Sequence, residues 1–554
     1  MTAACGDAVR FHATLRRLRT QRDGPSPDVA RHLAALDSAR VRSGVSRRRA
    51  QGAHYTPPQL VDFVIAETLR GWRPSRRDWA LIDPACGAGS FLVAAARALA
   101  GRTGEPMSRI LERRVAGIDI DPVAVRLARR ELLGLLPSRT GEAARRRIRA
   151  SLARSIIVAD ALDEAPGAGT GRLFDLVLGN PPFLNQLEKG TAASRARALR
   201  IAKRTGGAVR RYADHSSAFL LNGLERLAPG GRLGFVMPQS FLSTADARPA
   251  RDAAVRLAGL RSIWTANESM FEGASVRVAA LVFVRGPARS LRRAFGGEFA
   301  AIRGSVVPPR PGDESWATLL AEGFGAPRLE FGPNRGTVGD IARATADFRD
   351  QYYGLRGAIE EGGPGPRLAT TRHIDLARCS WGEREVRVLG ERYLRPTVDR
   401  RVLEGVRGME AWLDARLVPK LIVATQTRVI EAFVDAHGEY APLVPLITVV
   451  PRAKIDLWSL AAAVASPVVA ARALALYAGS ALGAGAIKLS ARQLVAMPLP
   501  VDRAAWSRSS ERLKAGDLDA FAAESCAAHR LGASDAADVL AFWRGRAGKG
   551  TAPA

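Results

Sequence analysis

The chain has 554 residues, 47% hydrophobic and 25% charged. That balance excludes a wholly disordered or collagen-like polypeptide and, at about 150 residues per domain, suggests two to four domains. Its 82 Lys+Arg against 54 Asp+Glu leave a formal charge of +28, so nucleic acid is the first partner to consider. Nearly all of that basic charge is arginine, and Ala and Gly are abundant, as a GC-rich genome would also produce; charge alone therefore does not decide. The four cysteines, Cys5, Cys86, Cys379 and Cys526, lie far apart with no CxxC pair. Neither a disulfide framework nor a zinc site is encoded, and no metal is expected. The first residues contain no apolar signal core. The most apolar stretch, Leu457 to Ile487, carries Pro467 and Arg472 and reads as packed helix, not a membrane span. A cytoplasmic location follows as the expectation.

Residues 1–49 are Arg-rich, broken by the turn segment DGPSPD at 23–28, and end near Arg47, Arg48 and Arg49. They read as a helical arm that either packs on the body, touches phosphates or is simply solvated. From 50 to 285 short apolar runs alternate with amphipathic segments. WALIDPACG, RVAGIDIDP, SIIVADALD, FDLVLGNPPF and GRLGFVMPQS each end a strand-like run in a turn. SFLVAAARALAG, PVAVRLARRELLGLL and AFLLNGLERLAPGG read as the helices between them. Strand then helix, repeated, predicts a doubly wound α/β sheet with ligands at the carboxyl ends of its strands. RSIWTAN and RVAALVFVRG would complete it. Residues 286–345, rich in Pro, Gly and Arg, mark a boundary. A second domain, 346–554, holds one strand pair, KLIVATQTRVIEAFVD then LVPLITVV, followed by helix-rich sequence.

The string Asp83-Pro84-Ala85-Cys86-Gly87-Ala88-Gly89-Ser90-Phe91 follows the first strand and opens a helix. Gly87 and Gly89 let the backbone pass close to a ligand where a side chain would collide. A lone GxG fits many nucleotide sites or a plain tight turn, whereas the full string is more specific. Asp119 ends the next strand, where a carboxylate can accept both ribose hydroxyls of a nucleoside-like cofactor. Helix N-capping, the competing role, suits Asp121 before Pro122 better. Asp160 ends the third strand and could accept from an adenine amino group. At the end of the fourth stand Asn180, Pro181, Pro182 and Phe183. Two prolines after a strand make a rigid loop whose carbonyls point outward. The Asn180 oxygen and the Pro181 carbonyl could both accept from one planar amino group, with Phe183 stacked on the ring that carries it. A bare NPP turn is the plain alternative, and its position behind three earlier motifs argues against it.

This series resembles the S-adenosylmethionine-dependent DNA adenine-N6 methyltransferases of the gamma arrangement, found in type II and type IIG restriction–modification systems. Their order is an N-terminal cofactor motif, the glycine motif, NPP[YF], then a target-recognition domain, and this chain repeats it. The resemblance is close over about 50–285. It implies a Rossmann-like methyltransferase sheet followed by an α+β target-recognition domain, with S-adenosylmethionine as cofactor and double-stranded DNA as partner. GAHYTPPQLVDFVIAETL resembles the first motif, which places Tyr55, Thr56 and Pro57 near the methionine end of the cofactor. The match further implies cofactor contacts at Asp83, Ala85, Gly87, Gly89, Asp119 and Asp160, with Asn180, Pro181, Pro182 and Phe183 as the catalytic set. MFEGASVRVAALVFVRG resembles a later motif and suggests Phe271 as a second face of a base sandwich with Phe183. The family's frequent Tyr is Phe at 183, which keeps the stacking.

The implied reaction is direct methyl transfer to the N6 of an adenine extruded from the duplex. Attack at cytosine C5 would need a nucleophilic Cys; Cys86, inside the glycine motif, reads as a packing residue, so that chemistry is rejected. Cytosine-N4 enzymes usually carry Ser or Asp in place of Asn180. Within 346–554, FRDQYYGLRG around Tyr352 and Tyr353, the run after Lys420, and GAIKLSARQLVAMPLP resemble target-recognition strings more weakly. Thr425, Gln426, Thr427 and Arg428 become candidate DNA contacts, since Gln and Arg read base edges; a solvated strand face is the alternative for each. NPP[YF] also occurs in protein glutamine and RNA base methyltransferases, which are usually shorter, and a non-catalytic specificity subunit would have no reason to keep the cofactor motifs. Forty-nine residues before the first motif are too few for a fused nuclease, so any restriction nuclease or defence subunit is expected as a separate chain.

Overall fold

The computed structural model describes residues 56–163, 172–183, 199–209, 215–271, 277–329, 331, 336–347, 349–424, 426–452, 455–478 and 485–547. The Arg-rich segment 1–49 lies outside these. The chain forms two compact units, 1–199 with 214–235, and 200–213 with 236–554. The division thus falls inside one strand, not at a composition boundary.

In the first unit, helix α1 (Pro58–Leu69) precedes strand β1 (Leu81–Asp83). Helices α2 (Ser90–Thr103) and α3 (Met107–Arg113) lead to β2 (Val115–Asp119), and α4 (Pro122–Gly134) with α5 (Glu142–Ser155) to β3 (Ile156–Val158). Strand β4 (Phe174–Gly179), helix α6 (His215–Glu225) and strand β5 (Leu227–Pro238) follow. The strand order is β3-β2-β1-β4-β5, all parallel. The chain winds outward from β1 to β3, then restarts at β4 on the other side of β1. That reversal opens a crevice between the carboxyl ends of β1 and β4, the place where doubly wound sheets bind ligands. All six residues of β4 are buried, as a central parallel strand covered on both faces requires.

The helices form where the sequence alternates on a helical period. In α2, Phe91, Leu92, Ala95, Ala96 and Leu99 are buried along one stripe. Its ends are set by Gly89 and Gly104 in left-handed conformations at φ 91° and 71°. Asp121 caps α4 by accepting from the Val123 amide at 2.8 Å, with Pro122 in the first turn. One expected helix ends early: AFLLNGLERLAPGG is helical only to Glu225, and Leu227 already begins β5. Pairing with β4 overrides the helical pattern there. The Phe174 amide bonds the Arg226 carbonyl at 2.8 Å, and the exposed Pro229-Gly230 excursion sits where the β4–β5 register shifts.

The longer segment of the second unit begins with the last residues of β5. Strands β6 (Gly259–Thr265) and β7 (Val278–Val284) pair antiparallel, and β8 (Arg292–Phe295) runs parallel to β6. Residues 286–345 therefore include regular structure, among it β8 and a 3₁₀ helix at Ala317–Phe324. Two four-stranded sheets follow, then a helical end from Leu457 to Ala547. KLIVATQTRVIEAFVD is not one strand but a hairpin, Lys420–Val423 against Ala432–Asp435, because the residues between them leave the ladder. Among the described residues no single helix is long and apolar enough to cross a membrane; a bent pair, Leu457–Val464 with Pro467–Tyr477, passes only in combination, and its side chains are largely buried.

Candidate active site

The crevice at the carboxyl ends of β1, β2 and β4 gathers most of the residues singled out by sequence. Asp83, the last residue of β1, is 1% exposed and accepts from the Ala85 amide at 3.0 Å. Burial, and then the charge of Asp119, push its carboxyl up to about 8, against the backbone bond that lowers it. Gly179, closing β4, is what makes room: a Cβ there would lie 2.6 Å from Asp83 Oδ1. The glycine therefore seats a buried carboxyl against the base of the next motif.

Asp119 ends β2 and anchors the glycine loop. One carboxylate oxygen accepts from the Gly87 amide at 2.8 Å and the other from the Asp121 amide at 2.9 Å. Burial raises its pKa against those two bonds. Gly87, at φ 52°, has nothing within 4 Å of where a Cβ would stand, so it borders open space, while Gly89 packs on Ala128. Asp160, after β3, accepts from the Leu162 amide at 3.0 Å. Cys86 is buried, and a Cβ on Gly117 would stand 3.2 Å from its sulfur. Burial and the neighbouring Asp83 and Asp119 charges hold its thiol well above its ordinary pKa. A thiol so held is a poor nucleophile and a good packing group.

Two residues that sequence reading passed over stand beside these carboxylates. Ile120, directly after Asp119, is 56% exposed, and Val158, paired in register with Asp119, is 50% exposed. Apolar side chains left in solvent at two adjacent strand ends, next to a carboxylate and two glycines, form a wall suited to a flat, partly apolar ring.

Asn180 follows β4. Its amide nitrogen donates to the Thr56 hydroxyl at 2.8 Å, across 124 positions of sequence. Its oxygen, Oδ1, is buried and has no hydrogen-bond partner among the described residues. A buried acceptor without a partner costs about 1–3 kcal/mol, which a ligand donor would recover. Pro181 is buried, and Pro182 and Phe183 are half-buried. Thr56 is buried, and Pro57 precedes the first turn of α1. Thr56 thus orients Asn180, a role not foreseen from the sequence. Tyr55 lies outside the described residues.

In the second unit, Phe271 is buried, and its carbonyl accepts from the Ser269 hydroxyl at 3.2 Å. Gln426 and Arg428 sit on the loop of the 420–435 hairpin, not on a strand face; Thr425 lies outside the described residues. Gln426 has φ 67° and its amide bonds the Ile487 carbonyl at 3.0 Å. Arg428 is exposed and donates to the Gly545 carbonyl at 3.3 Å. Among the described residues no group of three or more His, Cys, Asp or Glu is placed to hold a metal.

A parallel sheet ordered 3-2-1-4-5, a glycine loop tied to an acidic strand end, and an Asn-Pro-Pro-Phe turn at the switch point define a Rossmann-like sheet of the methyltransferase type. Residues 44–294 match the family model described as N-6 DNA methylase. That segment is similar to the N-6 DNA methylase family. It is 29% identical over 242 residues to the type II methyltransferase M.TthHB8I of Thermus thermophilus, covering 43% of this chain and 46% of that relative. The chain therefore matches less than half the length of this curated relative. Among solved structures, the type IIL restriction-modification enzyme MmeI in complex with DNA aligns at TM-score 0.49 and 13% identity, over 90% of this chain and 74% of that one. The type IIG restriction endonuclease BpuSI aligns at TM-score 0.40 and 12% identity, over 91% and 68%.

Proposed function

We propose that the protein transfers a methyl group from S-adenosylmethionine to the exocyclic N6 of an adenine extruded from double-stranded DNA, at a specific site. It would act in the cytoplasm within a restriction–modification or antiphage system. The observation that carries the reading is the buried Asn180 Oδ1, which has no hydrogen-bond partner among the described residues, on a side chain held in orientation by Thr56. An acceptor so placed, with the carbonyl of the adjoining Pro181 as a second, would suit the two hydrogens of one planar amine.

S-adenosylmethionine, when bound, supplies an electrophilic methyl on a sulfonium. The residues at the crevice fit it: open space at Gly87, the Asp119 carboxylate for ribose hydroxyls, and Ile120 with Val158 for the adenine ring. Asp160 and the Asp83 region complete that cradle, with Thr56 and Pro57 near the methionine end. Asn180 and Pro181 accept from the target amine and keep its nitrogen lone pair pointed at the methyl. Phe183 stacks on the base, and Pro182 stiffens the turn that carries all three. Positioning and electrostatics supply the rate, and no covalent enzyme intermediate is needed. The second unit would read the DNA sequence, with Gln426 and Arg428 on its hairpin loop as candidate contacts.

The test is transfer of labelled methyl to genomic DNA from an unmodified host, with single-molecule sequencing of the product and Asn180→Ala alongside. N6-methyladenine at one short motif, absent with the variant, supports the proposal. Label in tRNA or protein and none in DNA would overturn it.

A further inference from the structure

The opposite edge of the first unit's sheet carries a second concavity. Strands β1 and β2 begin in register, at Leu81 and Val115, and β4 begins two residues before the Leu176 that pairs with Leu81; residues ahead of these strands line a cavity of about 980 Å³. Arg76 and Arg77 precede β1, Arg113 and Arg114 precede β2, and Arg172 precedes β4. An adjoining cavity of about 630 Å³ shares Arg76, Arg77, Arg109 and Arg114 and adds Arg73 and Arg102. Eight guanidiniums therefore converge where the chain enters the sheet.

Few carboxylates answer them. Glu105 serves both Arg114, at 2.9 Å, and Arg109, at 3.6 Å, and also accepts from the Trp79 indole at 2.9 Å. Asp175, buried behind the wall, pairs with Arg76 at 2.7 Å. Asp78 is the remaining acid of the lining. Arg73, Arg77, Arg102 and Arg113 have no ion pair with a carboxylate among the described residues. Backbone carbonyls also fix the guanidiniums: Arg172 bonds Trp79 at 3.2 Å and Arg102 bonds Trp72 at 2.9 Å, while Arg76, besides its ion pair, bonds Leu173 at 3.2 Å. Such bonds set the geometry without cancelling the charge. Burial, with neighbouring guanidiniums, lowers the pKa of both Arg102 and Arg172. The cost of gathering this charge is offset when an anion enters.

We propose that this arginine bowl binds the phosphate backbone of a nucleic-acid segment, at the edge of the sheet opposite the methyl-transfer crevice. Arginine forks suit phosphate oxygens bidentately. Trp79, the one aromatic among the described lining residues, is 1% exposed and lies under the Arg114 guanidinium, 4.9 Å from its ring centre, so no base could stack on it and the contact would be sequence-independent. The inference does not depend on the methyl-transfer reading, since it concerns binding alone.

The full-length protein is titrated into a fluorescein-labelled 15-base-pair duplex of arbitrary sequence, across a salt series, without S-adenosylmethionine. The exposed pair is changed in Arg77→Ser/Arg113→Ser, and the control removes equal charge from helix α4 in Arg126→Ser/Arg130→Ser. Two lost phosphate contacts predict a salt slope lower by about 1.8 and affinity down roughly 60-fold at 0.1 M salt, with the control near wild type. Equal losses in both variants, or none in either, would refute the proposal. Inorganic tripolyphosphate is the second arm: if it binds wild type and not the bowl variant while duplex affinity is unchanged by the substitutions, the site takes free oligophosphates and the nucleic-acid assignment is wrong. Unaltered melting of both variants excludes misfolding as the cause.

Discussion

Replacing Thr56 by Val tests the central contact of the site. Valine keeps the shape of threonine and exchanges the hydroxyl for a methyl, so the Asn180 amide loses its acceptor at 2.8 Å. A buried donor left unpaired costs about 1–3 kcal/mol. If that cost falls on the aligned rotamer of Asn180, methyl transfer slows by roughly 5- to 150-fold at 1.36 kcal/mol per decade. The assay is single-turnover transfer of labelled methyl to a duplex bearing the modified motif, at saturating cofactor, for Thr56→Val, Thr56→Ser and Asn180→Ala. Thr56→Ser restores a hydroxyl and should return most of the rate, and the loss in Thr56→Val should appear in kcat more than in KM for DNA. A Thr56→Val protein within twofold of wild type, beside an inactive Asn180→Ala, would show that Asn180 is oriented by something else.

Other outcomes follow from the same crevice and from the hairpin loop. Gly179→Ala puts a methyl 2.6 Å from Asp83 Oδ1; calorimetry should find S-adenosylmethionine binding weakened at least about tenfold, since 1.4 kcal/mol suffices, with the circular dichroism spectrum unchanged. The Asp83 carboxyl ionises near 8 when folded and near 4 when unfolded. Between those values only the folded chain holds the proton, so this group's contribution to stability is full below about pH 4 and is lost as pH rises to 8. The difference in melting temperature between wild type and Asp83→Asn should therefore drift in favour of the variant from pH 5 to pH 8; a pH-independent difference would contradict the buried, protonated state. At Gln426, with φ 67°, glycine should hold or raise the melting temperature while Gln426→Val lowers it by the equivalent of about 1–2 kcal/mol, because a β-branched side chain resists the left-handed region.

Much of the first unit was legible because its signals are local. Short apolar runs ending in DPACGAGSF, DIDP and NPPF set strands β1, β2 and β4, and Asp121 before Pro122 marked a helix start. The α6–β5 boundary was not legible: LAPGG continues a helical pattern, and only the β4 neighbour, absent from a local reading, pulls Leu227 into the sheet. The hairpin at 420–435 was hidden for the opposite reason, since its loop, ATQTRVIE, has strand-like composition and no Gly or Pro to mark the turn. Thr56 looked like one polar residue of a cofactor motif, and nothing in spacing tells that its hydroxyl meets Asn180. The arginines of the bowl come from 73–77, 102–114 and 172; each looks like solvated surface until the strand order brings them to one edge.

The Thr56 hydroxyl has a further consequence for how such a site can change over time. A hydroxyl both donates and accepts. It accepts from an asparagine at position 180, and it could equally donate to the isosteric aspartate there. The Thr56 hydroxyl is thus indifferent to which of these two side chains it supports. A single substitution at 180 could then alter the hydrogen-bond character offered to the incoming amine without any rebuilding of the first motif. Tolerance of that kind would let position 180 change its chemistry in one step while the crevice around it stays folded.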